Sequence, residues 1–236
     1  MKRVRNLPLV IFAALSLLLG GFGLPAEAIT FDLAGDWSDS FNPIGPWRYN
    51  KEGGALITTH VSDWLPGDLG SSQPAWAASN DTPPGWAKSL GSSTLAAPND
   101  FPAGRVGAHG SGLGDMSVTW TSPLSAVADI DGGVWMMRDI GRSMDWKIFL
   151  NATLLDSGTV SSFSSASPDP FDVLVPVTAG DVVRLELVKN PGSTFADFVG
   201  VDLRIAAAVP EPAALILLGS GLAALAGVGW RTRRRG

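Results

Sequence analysis

Tryptophan is the residue whose number and placement in this chain suggest a chemical role. The sequence has nine tryptophans and one tyrosine. Trp64, Trp76 and Trp86 lie among Pro, Gly and Ser residues, where the strand pattern is poor. An indole exposed on a loop binds sugars, because the C–H faces of a sugar ring stack on aromatic rings. These three tryptophans are therefore candidate carbohydrate-binding residues, and Trp47 and His109 are further candidates.

The loop tryptophans have a second interpretation as packing residues. Large apolar side chains in loops also fill the open ends of a β-sandwich. Trp120 and Trp146 differ from them, because they fall on the apolar faces of predicted strands, and we expect both in the core. Exposure of the loop indoles together on one face would favour sugar binding, and their burial would favour packing.

The residues that catalysis requires form no recognisable constellation. The two histidines, His60 and His109, show no metal-binding spacing, and no G-x-S-x-G motif occurs. The glycines of Gly110–Gly114 precede a predicted strand and not a helix, so they indicate a turn and not a phosphate site. A glycosidase needs two carboxylates about 5–9 Å apart, and the central part of the chain has only Glu52 and Glu186 as glutamates. We predict a protein that is not an enzyme.

A calcium site is the one metal site that the sequence suggests. Asp129 and Asp131 precede Gly132-Gly133, and carboxylates are calcium ligands. Aspartates beside glycines also form ordinary turns. We expect a turn and no cofactor, with a structural calcium ion as the alternative.

The C-terminal segment carries the strongest signal of where the protein resides. Pro210-Glu211-Pro212 precedes an uncharged run, Ala213–Trp230, long enough at about 1.5 Å per residue to reach across a bilayer core of about 30 Å. Four arginines follow it: Arg231, Arg233, Arg234 and Arg235. Positive charge stays in the cytoplasm, so the rest of the chain lies on the far side. We predict a transmembrane helix over 213–230, since a buried core helix would not end in four arginines.

These three parts, in this order over residues 209–236, resemble the PEP-CTERM sorting signal of Gram-negative bacteria. The resemblance implies export, transient anchoring in the inner membrane and processing by an exosortase-type enzyme. It further implies a final location at the cell surface or in the extracellular polysaccharide of a biofilm matrix. A plain single-span anchor is the alternative.

The N-terminal residues 1–28 are typical of a signal peptide. Basic residues precede an apolar run at Leu9–Leu19, and Ala26-Glu27-Ala28 supplies a small-x-small cleavage site. We expect signal peptidase to cleave after Ala28, whereas a permanent first membrane helix is the alternative.

The remaining segment, 29–208, is long enough for one domain with a core. The chain has no cysteine, so this domain relies on packing without disulfides. It carries 20 acidic and 10 basic residues. Such a net negative charge excludes nucleic acid as a partner, because its binding depends on neutralising phosphates.

Apolar residues recur at every second position of this domain, which predicts strands with one buried face. The predicted strands cover 29–33, 116–121, 146–150, 171–177, 183–187 and 199–205. Pro176 falls at an outward position suited to an edge strand. The Gly- and Pro-rich stretch Val61–Gly114 hides irregular strands near Trp86–Leu90 and Gly104–Ala108, or it is a long excursion over the sandwich. We predict an all-β jelly-roll sandwich whose first and last strands share one sheet.

Short motifs across the domain resemble a bacterial extracellular jelly-roll family related to galactose-binding-like modules. They are Asn42–Tyr49, Val106–Gly110, Val118–Pro123, Ala179–Val183 and Phe195–Phe198. The resemblance implies the sandwich fold, although Gly110 stands where the family has proline.

The sequence therefore leaves two main functions open. One is a carbohydrate-binding domain associated with extracellular polysaccharide through Trp47, Trp64, Trp76 or Trp86. The other is a structural or adhesive matrix protein without a small-ligand site. A surface glycoside hydrolase is the third alternative.

Overall fold

The computed structural model describes residues 28–65, 69, 71–91, 100–110, 115–190 and 197–208. The predicted apolar signal segment, the sorting residues Pro210, Glu211 and Pro212, the helix over 213–230 and the terminal arginines lie outside these residues. Within the described part of the chain, no helix has the length and apolar character needed to cross a membrane. The domain Ile29–Ala208 is compact.

Fourteen strands build the described part of this domain as a sandwich of an eight-stranded and a six-stranded sheet, which confirms the predicted all-β class. The first seven strands are short: β1 Ala28–Asp32, β2 Trp47–Lys51, β3 Ala55–Leu56, β4 His60–Val61, β5 Ala75–Ala77, β6 Gly85–Lys88 and β7 Val106–His109. The last seven are longer: β8 Met116–Thr121, β9 Ala126–Met136, β10 Met144–Leu150, β11 Thr153–Val160, β12 Asp169–Val177, β13 Val182–Lys189 and β14 Phe198–Ala208. A 3₁₀ turn, Glu52–Gly54, joins β2 to β3.

The last eight strands form the predicted jelly roll. Four of them lie in the order β12-β9-β14-β7 in the larger sheet, and the other four in the order β11-β10-β13-β8 in the smaller sheet. Every neighbouring pair among them is antiparallel. This alternation of sheets along the chain is the double Greek key of an eight-stranded jelly roll.

The earlier strands widen both sheets. Strands β2 and β3 extend the smaller sheet beyond β8, and β6, β5 and β4 extend the larger sheet beyond β7. The irregular strands predicted near Trp86–Leu90 and Gly104–Ala108 are confirmed as β6 and β7.

The first and last strands share one sheet, as predicted. Strand β1 pairs with β14, and the backbone N–H of Leu33, just after β1, donates to the carbonyl oxygen of Leu203 at 3.0 Å. Strand β14 therefore has β9 along one side and β7 and β1 along the other.

The main core lies between the sheets, where alternate residues of each strand meet. The fully buried side chains Trp120, Ile130 and Leu185 belong to it, and Trp146 is 3% exposed, so the core positions predicted for Trp120 and Trp146 are confirmed. Burial of such residues supplies most of the stabilisation of a domain without disulfides.

A second apolar cluster covers the outer face of the larger sheet. Trp64, Leu69 and Phe101, from the segments before β5 and β7, pack there with Trp135 and Phe198. The sheet beneath offers a smooth surface, because small residues occupy one row across neighbouring strands: Ala87, Gly107 and Gly200. The Gly- and Pro-rich region thus contains strands and also an excursion over the sheet.

The turn predicted at Asp129 and Asp131 is wrong. Both residues lie inside β9, one of the two longest strands. Gly132 follows with a φ of 152°, and a Cβ there would overlap the carbonyl oxygen of Asp202 on β14. Glycine is required at this close approach of two backbones.

Candidate functional site

The four candidate tryptophans are buried, which contradicts the predicted stacking surface. The exposed fractions are 0% for Trp47, 1% for Trp64, 4% for Trp76 and 0% for Trp86. A sugar ring cannot stack on an indole that solvent does not reach. These four residues therefore serve in packing.

Each of these indoles also donates a hydrogen bond that fastens a loop or a strand. Trp47 donates to Asp36 at 2.9 Å, and Trp76 donates to the carbonyl oxygen of Ser38 at 2.8 Å. Together they hold the loop after β1. Trp86, on the larger sheet, donates to the carbonyl oxygen of Asn50 on the smaller sheet at 3.1 Å, so it joins the two sheets through the core.

His109 is half-buried at the end of β7. Its Nδ1 lies 2.7 Å from the carbonyl oxygen of Gly110. Its ring meets the ring of Phe198 edge-on, with the centroids 4.4 Å apart. The structure does not gather His109 and the four tryptophans on one accessible surface.

Trp37 is the single tryptophan of the described residues that is not buried, and the sequence pattern did not single it out. Its ring lies over Tyr49 with a centroid distance of 4.5 Å, and its N–H donates to Asp39 at 2.9 Å. Burial raises the pKa of Tyr49 far above the ordinary range of phenols, with smaller contributions from Asp36 and Asp39.

A polar depression of about 250 Å³ lies on the outer face of the six-stranded sheet. It is lined by Gly53, Gly54, Asp115, Met116, Ser117, Arg184 and Glu186. These residues come from the 3₁₀ turn, from β8 with the residue before it, and from β13, which are far apart in sequence. Sequence separation hides this site, because only the fold brings Asp115 and Glu186 together.

The 3₁₀ turn forms a wall of the depression that is made of backbone. Gly53 and Gly54 have φ values of 65° and 74°, and a Cβ on either would meet no heavy atom within 4 Å among the described residues. Ser117, at the depression, is only 4% exposed. Two consecutive left-handed residues favour glycine, and they also let a ligand approach the chain closely.

The carboxyl and guanidinium groups of the depression interact with one another. Burial raises the pKa of Glu186, Arg184 opposes this shift, and Asp115 adds to it through its charge and a hydrogen bond. Arg184 Nη2 lies 3.5 Å from Glu186 Oε2, and its guanidinium lies 4.4 Å from the ring centroid of Phe149. The buried Nε of Arg184 has no hydrogen-bond partner in the part of the chain that the structure describes.

Of the two possible calcium ligands, Asp131 serves another contact. Asp131 Oδ1 accepts a hydrogen bond from Arg204 Nε at 3.2 Å across the sheet. Among the described residues, no group of three or more His, Cys, Asp or Glu side chains has the arrangement of a metal site.

Comparison with solved structures finds β-sandwich carbohydrate-binding modules. One is the CBM51-2 in complex with GlcNAc and INT domains of Clostridium perfringens ZmpB, with 12% identity, a TM-score of 0.36 and coverage of 76% of this chain and 32% of that one. Another is the CBM51 of Clostridium perfringens GH95 in complex with methyl-galactose, with 11% identity, a TM-score of 0.33 and coverage of 75% and 99%. A third is the CBM36-1 domain of a multidomain xylanase from the hindgut metagenome of Trinervitermes trinervoides, with 14% identity, a TM-score of 0.30 and coverage of 49% and 84%.

The chain spans about a third of the length of the first structures that it matches. No curated protein matches it. A protein-family model does match its C-terminal end, the PEP-CTERM protein-sorting motif, over residues 208–235. This motif indicates an exported protein that is sorted to the cell envelope, and residues 208–235 of this chain carry it.

Proposed function

We propose that this protein is an exported, non-catalytic carbohydrate-binding protein that associates with extracellular polysaccharide through the depression on its six-stranded sheet. The observation that carries the proposal is the set of partly exposed side chains there: two carboxyls and a guanidinium beside an exposed glycine backbone. Sugar hydroxyls donate and accept hydrogen bonds at once, so they pair with such a mixed set.

The two carboxyls of the depression favour binding over cleavage in this proposal. The charge and a hydrogen bond of Asp115 contribute to the raised pKa of Glu186, so the two groups act on each other directly. A glycosidase holds its two carboxyl groups about 5–5.5 Å apart or further, so that the scissile bond fits between them. Carboxyls that act on each other directly are better suited to holding a sugar hydroxyl.

The sorting tail determines how the protein reaches its ligand in this proposal. Signal peptidase removes residues 1–28, the helix over 213–230 holds the chain in the inner membrane, and an exosortase-type enzyme then releases the domain at Pro210–Pro212. The domain is retained afterwards by weak binding to a dense polysaccharide, where many sites are available to each molecule.

A structural matrix protein without a small-ligand site is the second candidate. The burial of Trp47, Trp64, Trp76 and Trp86 favours it. None of these four indoles offers a sugar ring an exposed surface for stacking.

Calorimetric titration of the processed protein with a panel of neutral sugars separates the two candidates. The decisive variant is Gly53→Asn, because asparagine tolerates the left-handed conformation of Gly53 (φ 65°, ψ 18°) and it adds a polar side chain at the wall of the depression. We expect wild-type binding and a loss of about tenfold or more in the variant, equivalent to about 1.4 kcal/mol.

Gly104→Asn is the matched control. Gly104 also has a positive φ, 80°, with no heavy atom of the described residues within 4 Å of a built Cβ, and it lies in a turn outside the depression. It should bind as the wild type does. If no sugar of the panel binds to the wild type, the structural candidate replaces the carbohydrate-binding one.

A further inference from the structure

The depression continues into a row of polar side chains that crosses the six-stranded sheet. Ser117 on β8 is the strand partner of Glu186 on β13. Glu186 is in turn the partner of Lys147 on β10, and Lys147 is the partner of Ser157 on β11. Side chains in register on neighbouring strands lie side by side on one face.

The alternation of each strand places this row on the outer face. Val118, Leu185 and Ile148, the immediate neighbours of row residues on three strands, are 0–1% exposed and belong to the core. Successive side chains of a strand point to opposite faces, so the row faces away from the core.

A second row with a larger apolar surface runs beside the first. Arg184 on β13 is paired with Phe149 on β10, and Phe149 with Leu154 on β11. The guanidinium of Arg184 lies over the Phe149 ring, and Leu154 is 50% exposed. The two rows together form a strip, with hydrogen-bonding groups along one side and apolar carbon along the other.

The dimensions and charge of the strip indicate a chain-like ligand. It crosses three inter-strand spacings of about 4.8 Å, and β11 is the edge of its sheet, so no further strand of this sheet lies beyond Leu154 and Ser157. Its described charged groups, Arg184, Lys147, Glu186 and Asp115, comprise two of each sign. The strip has no net charge, so it neither attracts nor repels a neutral polymer electrostatically. The net negative charge of the domain would repel a polyanion.

We infer that the strip is an extended site for a linear, uncharged glycan, which places one sugar unit in the depression and the following units across β10 and β11. The inference rests on the proposed function and names its ligand class: a stretch of several units and not a single sugar. Hydrogen bonds to Lys147 and Ser157 and contacts with Phe149 and Leu154 then add affinity for each unit beyond the first.

Chain length is the variable that tests this inference. Processed protein is titrated calorimetrically with β-1,4-glucose, β-1,3-glucose, β-1,4-xylose and β-1,4-N-acetylglucosamine oligomers of one to six units. We expect affinity to rise by about tenfold or more between one and four units in at least one series and then to level off, since the strip has a finite width.

Variants on the strip assign the gain to its residues. Leu154→Ala should remove the gain with length and leave the affinity for the single sugar unchanged, and Lys147→Ala should remove the gain as well. Leu174→Ala is the matched control, because Leu174 is 71% exposed on β12 of the other sheet. It should change neither affinity.

The outcomes separate the inference from the proposed function. Equal affinity for one and six units, with binding still sensitive to Gly53→Asn, overturns the extended site and keeps the depression. A length gain that Lys147→Ala and Leu154→Ala both leave intact also overturns it. Absence of binding in all four series overturns the extended site and the proposed function together.

Discussion

The indole of Trp135 lies against the backbone of Gly200, its partner on the neighbouring strand, so closely that a Cβ atom on Gly200 would overlap the ring. Trp135 belongs to the second apolar cluster, which covers the larger sheet, and Gly200 belongs to strand β14 of that sheet. We predict that Gly200→Ala lowers the free energy of unfolding by about 1–3 kcal/mol, the usual cost of overpacking. Urea denaturation followed by fluorescence measures it.

Gly35→Ala is the control for that substitution. A Cβ at Gly35 would have its nearest neighbours in Asp32 at 3.4 Å, an ordinary van der Waals distance. We expect a change within about 0.5 kcal/mol. Equal stability of the two variants would contradict the packing described for Trp135.

Asp181 makes the domain sensitive to acid. Its carboxylate accepts hydrogen bonds from the N–H and hydroxyl of Thr178 at 2.7 and 2.8 Å and from Asn151 at 3.0 Å, and these bonds lower its pKa. The stabilisation is present above the ordinary pKa of about 3.8 and is lost as the pH falls through the lowered one. Asp181→Asn should therefore be less stable than the wild type at neutral pH, with the difference shrinking in acid.

Thermal unfolding of both proteins between about pH 2 and pH 7 tests this. Asp172→Asn, which removes a charge from an exposed position of β12, controls for the change in net charge. A difference between Asp181→Asn and the wild type that stays constant down to the lowest pH would refute the prediction.

Glu186 has the opposite dependence on pH. Because burial raises its pKa above about 4.5, its contribution to stability is complete below that value and declines as the pH rises through the raised pKa. Glu186→Gln has no such decline. The stability of the variant relative to the wild type should therefore increase with pH across this window and level off above it.

Chemical denaturation at a series of pH values measures the two stabilities. Asp115→Asn supplies a second test, because the charge and hydrogen bond of Asp115 contribute to the raised pKa. In the Asp115→Asn background, the pH range over which the contribution of Glu186 to stability declines should move toward lower pH. A stability difference between Glu186→Gln and the wild type that does not change with pH would contradict the burial of this carboxyl.

The sorting motif predicts a processed C-terminus. Mass spectrometry of protein from the native host should find the chain ending near Pro210–Pro212, because we expect the motif matched over residues 208–235 to direct release of the domain. Replacing the four terminal arginines with serine should prevent processing. Persistence of the full-length wild-type chain in the membrane fraction would show a lasting anchor.

Alternation was sufficient to predict several strands that have one buried and one exposed face. Strands β8, β10 and β13 were found because Val118, Ile148 and Leu185 alternate with polar residues. Strand β5 has no such pattern, since loops cover its outer face and all three of its residues are buried. Strand β9 was missed because aspartates followed by Gly132 and Gly133 are typical of a turn, whereas these glycines lie inside the strand at close backbone contacts.

The candidate site could not be predicted from sequence for a different reason. Ser117 and Glu186 come together only through the register of β8 and β13, which no local pattern encodes. The exposure of a tryptophan is equally a tertiary property. Trp64 and Trp37 both lie outside strands among small and polar residues, yet packing buries the first and leaves the second half-exposed.

The position of β14 has a consequence for the order in which the domain is completed. This strand is the last to be synthesised, and it lies in the interior of its sheet, between β9 and the pair β7 and β1. Those three strands come from the beginning and middle of the domain, so they have no shared neighbour until the ribosome has made Ala208. Contacts of such long sequence separation form late and slowly. The larger sheet therefore stays in separate parts, β12 with β9 and β7 with β6, β5 and β4, until β14 joins them, and the sorting motif begins at the last residue of that strand.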